Sequence, residues 1–209
     1  MAARLQFSRG VFDVIIIGGG PAGLSAALVL ARCRRRLLCD AGEPRNARSS
    51  ALHGFLSRDC IRPLELLRLG REELRPYGVE PRSATVTHLR HVGESFEATL
   101  DDQQPVRARM ALIASGVRDD VPDVPGDRGG AVKTGDLGET HLPGVYVVGD
   151  ASRDVQFAIV AAAEGAKAGV AINKALQAHA GLVPESLSNE PLARVEDERQ
   201  AEGQPTPTR

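Results

Sequence analysis

The chain has no tryptophan, two tyrosines and five phenylalanines, so aromatic residues make up only 3% of its 209 positions. Charge argues against nucleic acid and anionic membranes: 26 Lys and Arg stand against 27 Asp and Glu, for a formal net charge of −1 and no basic stripe. The one dense group, Arg32, Arg34, Arg35 and Arg36, reads as the solvated end of a helix and its turn. Long apolar runs are also missing. Val14 to Ile17 is stopped by three glycines, far short of the roughly 20 residues of a membrane span or the core of a signal peptide. A cytoplasmic protein with no membrane and no nucleic-acid partner is expected. Cysteine is scarce too: Cys33, Cys39 and Cys60 are irregularly spaced and contain no Cys-x-x-Cys. That excludes a disulfide framework, and no metal is expected.

What is present reads as an α/β chain of about one domain. Asp13 to Ile17 is a short apolar run rich in β-branched residues, as in a central parallel strand covered on both faces. Pro21 to Arg32 follows as a helix, with Pro21 tolerated in the first turn, and Leu37 to Asp40 returns as a second parallel strand. Ala41 to Arg62 is a loop by composition, and its length in a compact domain points to function. Pro63 to Tyr77 is an amphipathic helix, with Leu64, Leu67 and Leu74 on one side and Arg68, Arg71, Glu72 and Arg75 on the other. Glu80 to Ala108 alternates around turn signals at Val92-Gly93-Glu94 and Asp101-Asp102-Gln103, which predicts antiparallel strands. Arg109 to Ala114 is another buried strand, and Val145 to Val148 is the last. Between them, Asp127-Arg128-Gly129-Gly130 reads as the turn of a short hairpin joining Val121–Val124 to Ala131–Lys133. A long helix of small residues runs from Val155 to about Ala178. The stretch 181–209, rich in Pro, Glu, Ser and Gln, is a disordered tail by composition.

Two segments carry chemistry. Gly18-x-Gly20-x-x-Gly23 lies after a strand and opens a helix, the context that its mechanism requires. Gly18 allows the tight turn, Gly20 lets the backbone approach a pyrophosphate, and Gly23 permits close helix–strand packing. Pro21 and Ala22 open the helix whose unpaired amides face the phosphates. Asp40 ends the second strand about twenty residues on, where a carboxylate accepts ribose hydroxyls and disfavours a 2′-phosphate. The second segment is Val145-Tyr146-Val147-Val148-Gly149-Asp150, before the last helix.

Together these segments resemble the two FAD-binding halves of the thioredoxin reductase family, over roughly Val11 to Leu176. The resemblance implies a doubly wound, Rossmann-like FAD domain with a small antiparallel sheet, and a homodimer formed through FAD domains. It makes Gly149-Asp150 the motif that holds the ribityl chain and nearby pyrophosphate. Ala114-Ser115-Gly116 is similar to the family's Ala-Thr-Gly, with Ser for Thr, and runs close to the cofactor. The helix start at Gln156-Phe157-Ala158 would aim its amides at the flavin N1 and C2 carbonyl, where negative charge collects on reduction. By order along the chain His53 falls at the other edge of the ring, where a histidine hydrogen-bonds flavin or relays a proton; a purely structural loop histidine is the alternative. Asn46 is a further candidate for that wall.

The resemblance also exposes a gap. In that family a nicotinamide-binding domain carrying Cys-x-x-Cys separates the two halves, whereas here only the residues around Gly126 to Ala131 stand in its place. One FAD domain is therefore expected over 1–180, its halves at about 11–126 and 131–180 joined by the short hairpin. Hydride from NADPH and electron exit through a disulfide both lose their route. Three readings follow: a flavoprotein oxidoreductase that takes electrons from a separate donor, a protein or a small reductant, and passes them to an external acceptor; a non-catalytic FAD-binding or redox-sensing module acting through a partner; or a degenerate paralogue whose function has lapsed.

Overall fold

The computed structural model describes residues 10–34, 36–102, 105–116, 132–152 and 157–181. The apolar run near the N-terminus forms the central strand β1 (Val11–Ile17), buried from Asp13 onward. Its period-2 alternation divides the interior in two. Val14 and Ile16 join Leu38, Leu112 and Ile172 on one face, while Ile15 and Ile17 join Phe96, Leu100 and Ile113 on the other. Strand β2 (Arg36–Asp40) and strand β6 (Pro105–Ile113) flank β1, both parallel to it.

The remaining strands extend this one sheet. β3 (Arg82–Ser83) adds to β2 in parallel, and β4 (Val86–Val92) and β5 (Ser95–Leu100) form a hairpin on the far side. With β7 (Val145–Val147) the sheet has seven strands in the order β3-β2-β1-β6-β5-β4, β7 pairing with β6. The expected α/β architecture is observed, with the antiparallel strands continuous with the parallel ones. Two sequence expectations are corrected. Ala108 and Arg109 do not end one strand and begin another; no turn-former stands between them, and β6 runs through. One edge of β6 pairs with β1 along its length, and the other is shared by β5 at Pro105–Ala108 and β7 at Ala111–Ile113. Arg82–Ser83 is a parallel strand, not part of an antiparallel hairpin.

Three helices pack against one face. They are α1 (Pro21–Leu30), α2 (Pro63–Leu74) and α3 (Ala158–His179), contributing Leu24 and Leu30, Leu67 and Leu74, and Ile172 and Leu176 to the same core. On α2 the buried line is Pro63, Leu67 and Leu74, and Leu64 is 53% exposed, contrary to the expected apolar side. Gly70 lies on that line and meets Leu24 of α1, so the α2 stripe follows steps of four, three and four residues. The small residues of α3 serve close approach. A Cβ at Gly165 would lie 2.0 Å from the Ala22 carbonyl oxygen, so α3 can cross α1 there only because the side chain is absent.

The expected hairpin turn at Asp127–Gly130 and its Val121–Val124 arm, and the tail beyond Gly181, lie outside the described residues. Val132 and Lys133, expected in the second arm, form no strand; Val132 is buried against the sheet instead. No helix among the described residues is long and apolar enough to cross a membrane.

Candidate functional site

The carboxyl ends of β1, β2 and β6 meet at one point. There the Gly18 N–H donates to Cys39 O at 2.8 Å and the Ala114 N–H donates to Ile17 O at 2.8 Å. In an open α/β sheet this crevice, where connections leave the central strand in opposite directions, is where ligands bind. The three glycines stand there as their spacing predicts. Gly18 has φ +115°, and a Cβ on it would fall 2.2 Å from the Ala114 carbonyl oxygen; a Cβ on Gly23 would fall 1.9 Å from that of Gly18. At Gly20 a Cβ would meet nothing within 4 Å, so this side of the turn is open. Gly20 is also the N-cap of α1, without a side-chain capping bond, and the first turn holds Pro21 and no acid. The positive end of the helix is left to an anion from outside the chain.

A cleft extends from this turn in both directions. Gly18, Gly20, Pro21 and Ala22 line it, as do Asp40, Asn46, Ala114, Ser115, Gly116, Gly149, Asp150 and Ala158. Residues from both ends of the sequence thus share one wall. Gly23 lies beneath the turn as a packing residue. Phe157 is the half-exposed N-cap of α3 and does not line the cleft, and Gln156 lies outside the described residues. His53 is set apart from the lining, in an exposed loop beside Asp59 and Cys60.

Asp40 stands over the phosphate turn with only 15% of its side chain exposed. Its Oδ2 accepts a hydrogen bond from Arg71 Nη2 at 2.7 Å and its Oδ1 accepts from the Gly42 N–H at 3.0 Å. Any ligand hydroxyl reaching this carboxylate would share it with Arg71. Asp150, in the 3-10 turn Gly149–Ser152 after β7, pairs with Arg45 Nη1 at 3.4 Å. Ser115 Oγ is buried with no hydrogen-bond partner among the described residues, and a buried hydroxyl without a partner is costly. Ser115 is among the residues that line the cleft, so a polar ligand there would lie beside an unpartnered group.

Sequence reasoning misses three of these contacts. It places Arg71 on the solvated face of α2 and gives Arg45, in a loop, no role. Glu164 Oε2 accepts from the Gly149 N–H at 2.5 Å and lies 3.4 Å from Ser152 Oγ. Glu164 is the single acid in a helix otherwise rich in Ala and Gly, and that isolation is the available signal. The cysteines offer no redox pair: all three are free, burial pushes the Cys39 thiol up to about 11, and Cys33 Sγ donates to Asn173 Oδ1.

Comparison with known proteins shows what the chain is similar to. The FAD binding domain family matches residues 13–56, which span β1, α1, β2 and the loop after it. A thioredoxin reductase, tcpT of Claviceps purpurea, is 34% identical over 128 residues, 57% of this chain and 39% of that protein. A thioredoxin reductase of Gibberella zeae is 30% identical over 159 residues, 69% of this chain and 43% of that protein. The chain is thioredoxin reductase-like. Among solved structures, a putative thioredoxin reductase TrxB from Bacillus anthracis shares the fold with a TM-score of 0.70 at 18% identity, over 81% of this chain and 99% of that one. The matched segments cover less than half the length of these two curated relatives. The cofactor of this thioredoxin reductase-like chain is FAD, and the phosphate turn, the open α1 terminus, the Ser115 hydroxyl and the Asp150 wall fit an extended dinucleotide.

Proposed function

We propose that the chain is a flavoprotein oxidoreductase that takes electrons from a separate donor, a protein or a small reductant, and passes them to an external acceptor. The observation that carries this reading is the single cleft to which both FAD-binding halves contribute, joined through only the residues between Gly116 and Val132 and with no Cys-x-x-Cys in the sequence. FAD when bound supplies reversible electron transfer at its ring. The chain's own residues hold it. The α1 amides bind the pyrophosphate, Asp40 with Arg71 orients the adenosine ribose, and Asp150 and Ser115 satisfy hydroxyl and polar groups that would otherwise be buried unpaired. The N-terminus of α3, whose N-cap Phe157 makes no side-chain capping bond, supplies a positive field that favours a reduced, negatively charged ring. The three cysteines take no part in this scheme.

The reading also includes a cytoplasmic location and a homodimer formed through this domain, the latter open to test by sedimentation. Its central test is anaerobic stopped-flow reduction of the purified holoprotein with a panel of donors. NADPH should reduce the flavin slowly, because the short segment between Gly116 and Val132 leaves no room there for a domain that would hold nicotinamide at near-attack distance, and such positioning contributes about 7–11 kcal/mol to lowering a barrier. A free reduced flavin or a small protein donor should be faster. Rapid, saturable reduction by NADPH would overturn the donor assignment. Tight FAD binding with no turnover by any donor and acceptor would favour the binding-module reading instead.

A further inference from the structure

We propose that His53, Asp59 and Cys60 form a binding site for a borderline-soft divalent cation of the Zn²⁺ class, outside the FAD cleft. The three side chains come from one short loop whose ends are tied by an antiparallel bridge between Leu52 and Ile61. Inside it, Asp59 Oδ1 accepts from the Gly54 N–H at 2.8 Å, which leaves Oδ2 turned toward Cys60. The ligating atoms face one another: Cys60 Sγ is 3.7 Å from His53 Nδ1 and 3.6 Å from Asp59 Oδ2, and His53 Nδ1 is 4.0 Å from Asp59 Oδ1. With Zn–S near 2.3 Å and Zn–N and Zn–O near 2.0–2.2 Å, tetrahedral coordination requires ligand atoms about 3.3–3.6 Å apart. One ligand atom from each of the three side chains lies within 4.8 Å of the others, so movements on the order of an ångström close the set.

The donor types choose the cation. Thiolate, imidazole and carboxylate together suit Zn²⁺, whereas Ca²⁺ and Mg²⁺ prefer all-oxygen shells. Three protein ligands leave the fourth position to water or a small exogenous ligand. On binding, Cys60 releases its thiol proton to solvent and coordinates as the thiolate. Without a cation the thiol has no such stabilisation, since the neighbouring Asp59 carboxylate pushes its pKa up. Cys60 also has φ +61°, a backbone conformation in which glycine would be favoured. Leu52, at the base of the loop, lines the FAD cleft, so cation binding would brace one of its walls.

The test titrates the reduced, metal-free full chain with Zn²⁺ and Co²⁺ salts. One equivalent should bind, and Co²⁺ should produce a thiolate-to-cobalt charge-transfer band. Cys60→Ser should abolish the band and weaken Zn²⁺ binding at least tenfold; His53→Ala and Asp59→Asn should each weaken it about tenfold, and Cys33→Ser should leave it unchanged. Cys60→Gly separates lost ligation from a damaged loop, because glycine suits the positive φ: it should raise or hold the melting temperature while still losing the band. No saturable binding by either cation, a band retained in Cys60→Ser or Cys60→Gly, or wild-type Zn²⁺ affinity in both His53→Ala and Asp59→Asn would overturn the proposal.

Discussion

The two halves of the candidate FAD cleft are built by different means. The turn of the first half, Gly18 to Gly23, depends on backbone: φ +115° at Gly18, a carbonyl where a side chain would otherwise be, and a helix end with no cap of its own. The half at Gly149–Asp150 depends on side chains from elsewhere, with Glu164 of α3 holding the Gly149 amide and Arg45 of the loop after β2 reaching Asp150. A site made from backbone tolerates little change at Gly18 and Gly23, where a Cβ would overlap a carbonyl oxygen, because strain cannot be redistributed through a packed sheet. A site held by side chains can be loosened in steps, and binding can weaken there without the fold being lost.

The strongest way to break this comparison is Gly18→Ala. Added positive-φ strain and overlap with the Ala114 carbonyl should destabilise the protein by roughly 2–6 kcal/mol and abolish FAD retention, as read from urea unfolding and flavin stoichiometry. Normal stability with normal FAD content would show that the turn is less constrained than its geometry indicates. Asp150→Ala should act on the other half. It should lower FAD affinity about tenfold to a hundredfold, the effect of leaving buried ligand hydroxyls unpaired, with unfolding of the apoprotein little changed because Asp150 pairs with a half-exposed Arg45.

Glu164→Ala probes the support beneath that wall and should have a smaller effect, a loss of FAD affinity of up to about tenfold. Glu164→Gln should recover much of it, since an amide oxygen can still accept from the Gly149 N–H. Equal affinities for wild type and Glu164→Ala would remove the residue from the site. The smallest effect lies away from both halves and supplies the background. Hydrogen bonds from Arg90 and then Arg107 hold the Glu97 carboxyl below the ordinary glutamate range. A depressed carboxyl pKa adds stability that is complete above the unfolded-state value, roughly 4.3, and is lost as pH falls through the folded-state value. Stability measured by denaturation should therefore decline in acid, and Glu97→Gln should flatten that decline without altering FAD affinity at neutral pH.

Much of the first half was legible in the chain as written. Gly18, Gly20 and Gly23 follow a β-branched run and precede a helix-forming one, and Asp40 ends the next strand; each choice is local and the spacing carries the geometry. The second half was legible only as a motif. Gly149-Asp150 marks the place, but its supports are Arg45 and Glu164, and nothing local links residues about a hundred positions apart or singles out one face of a helix. Strand pairing failed for a related reason. The alternation of Glu80 to Ala108 shows strands without showing partners, so Arg82–Ser83 joined β2, and β6 continued through Ala108 and Arg109 to serve three neighbours.

The sequence by itself determined the phosphate turn, the central parallel strands and the small-residue helix, because periodicity and glycine placement act over a few residues, while the kind of cofactor rested on the resemblance of its two motifs to the thioredoxin reductase family. Only the tertiary structure decided that Arg71 shares the Asp40 carboxylate, that Glu164 holds the Gly149 amide, and that His53 stands away from the cleft lining with Asp59 and Cys60. Those outcomes depend on how helices and loops settle on the sheet, where long side chains reach across elements and spacing along the chain no longer measures distance.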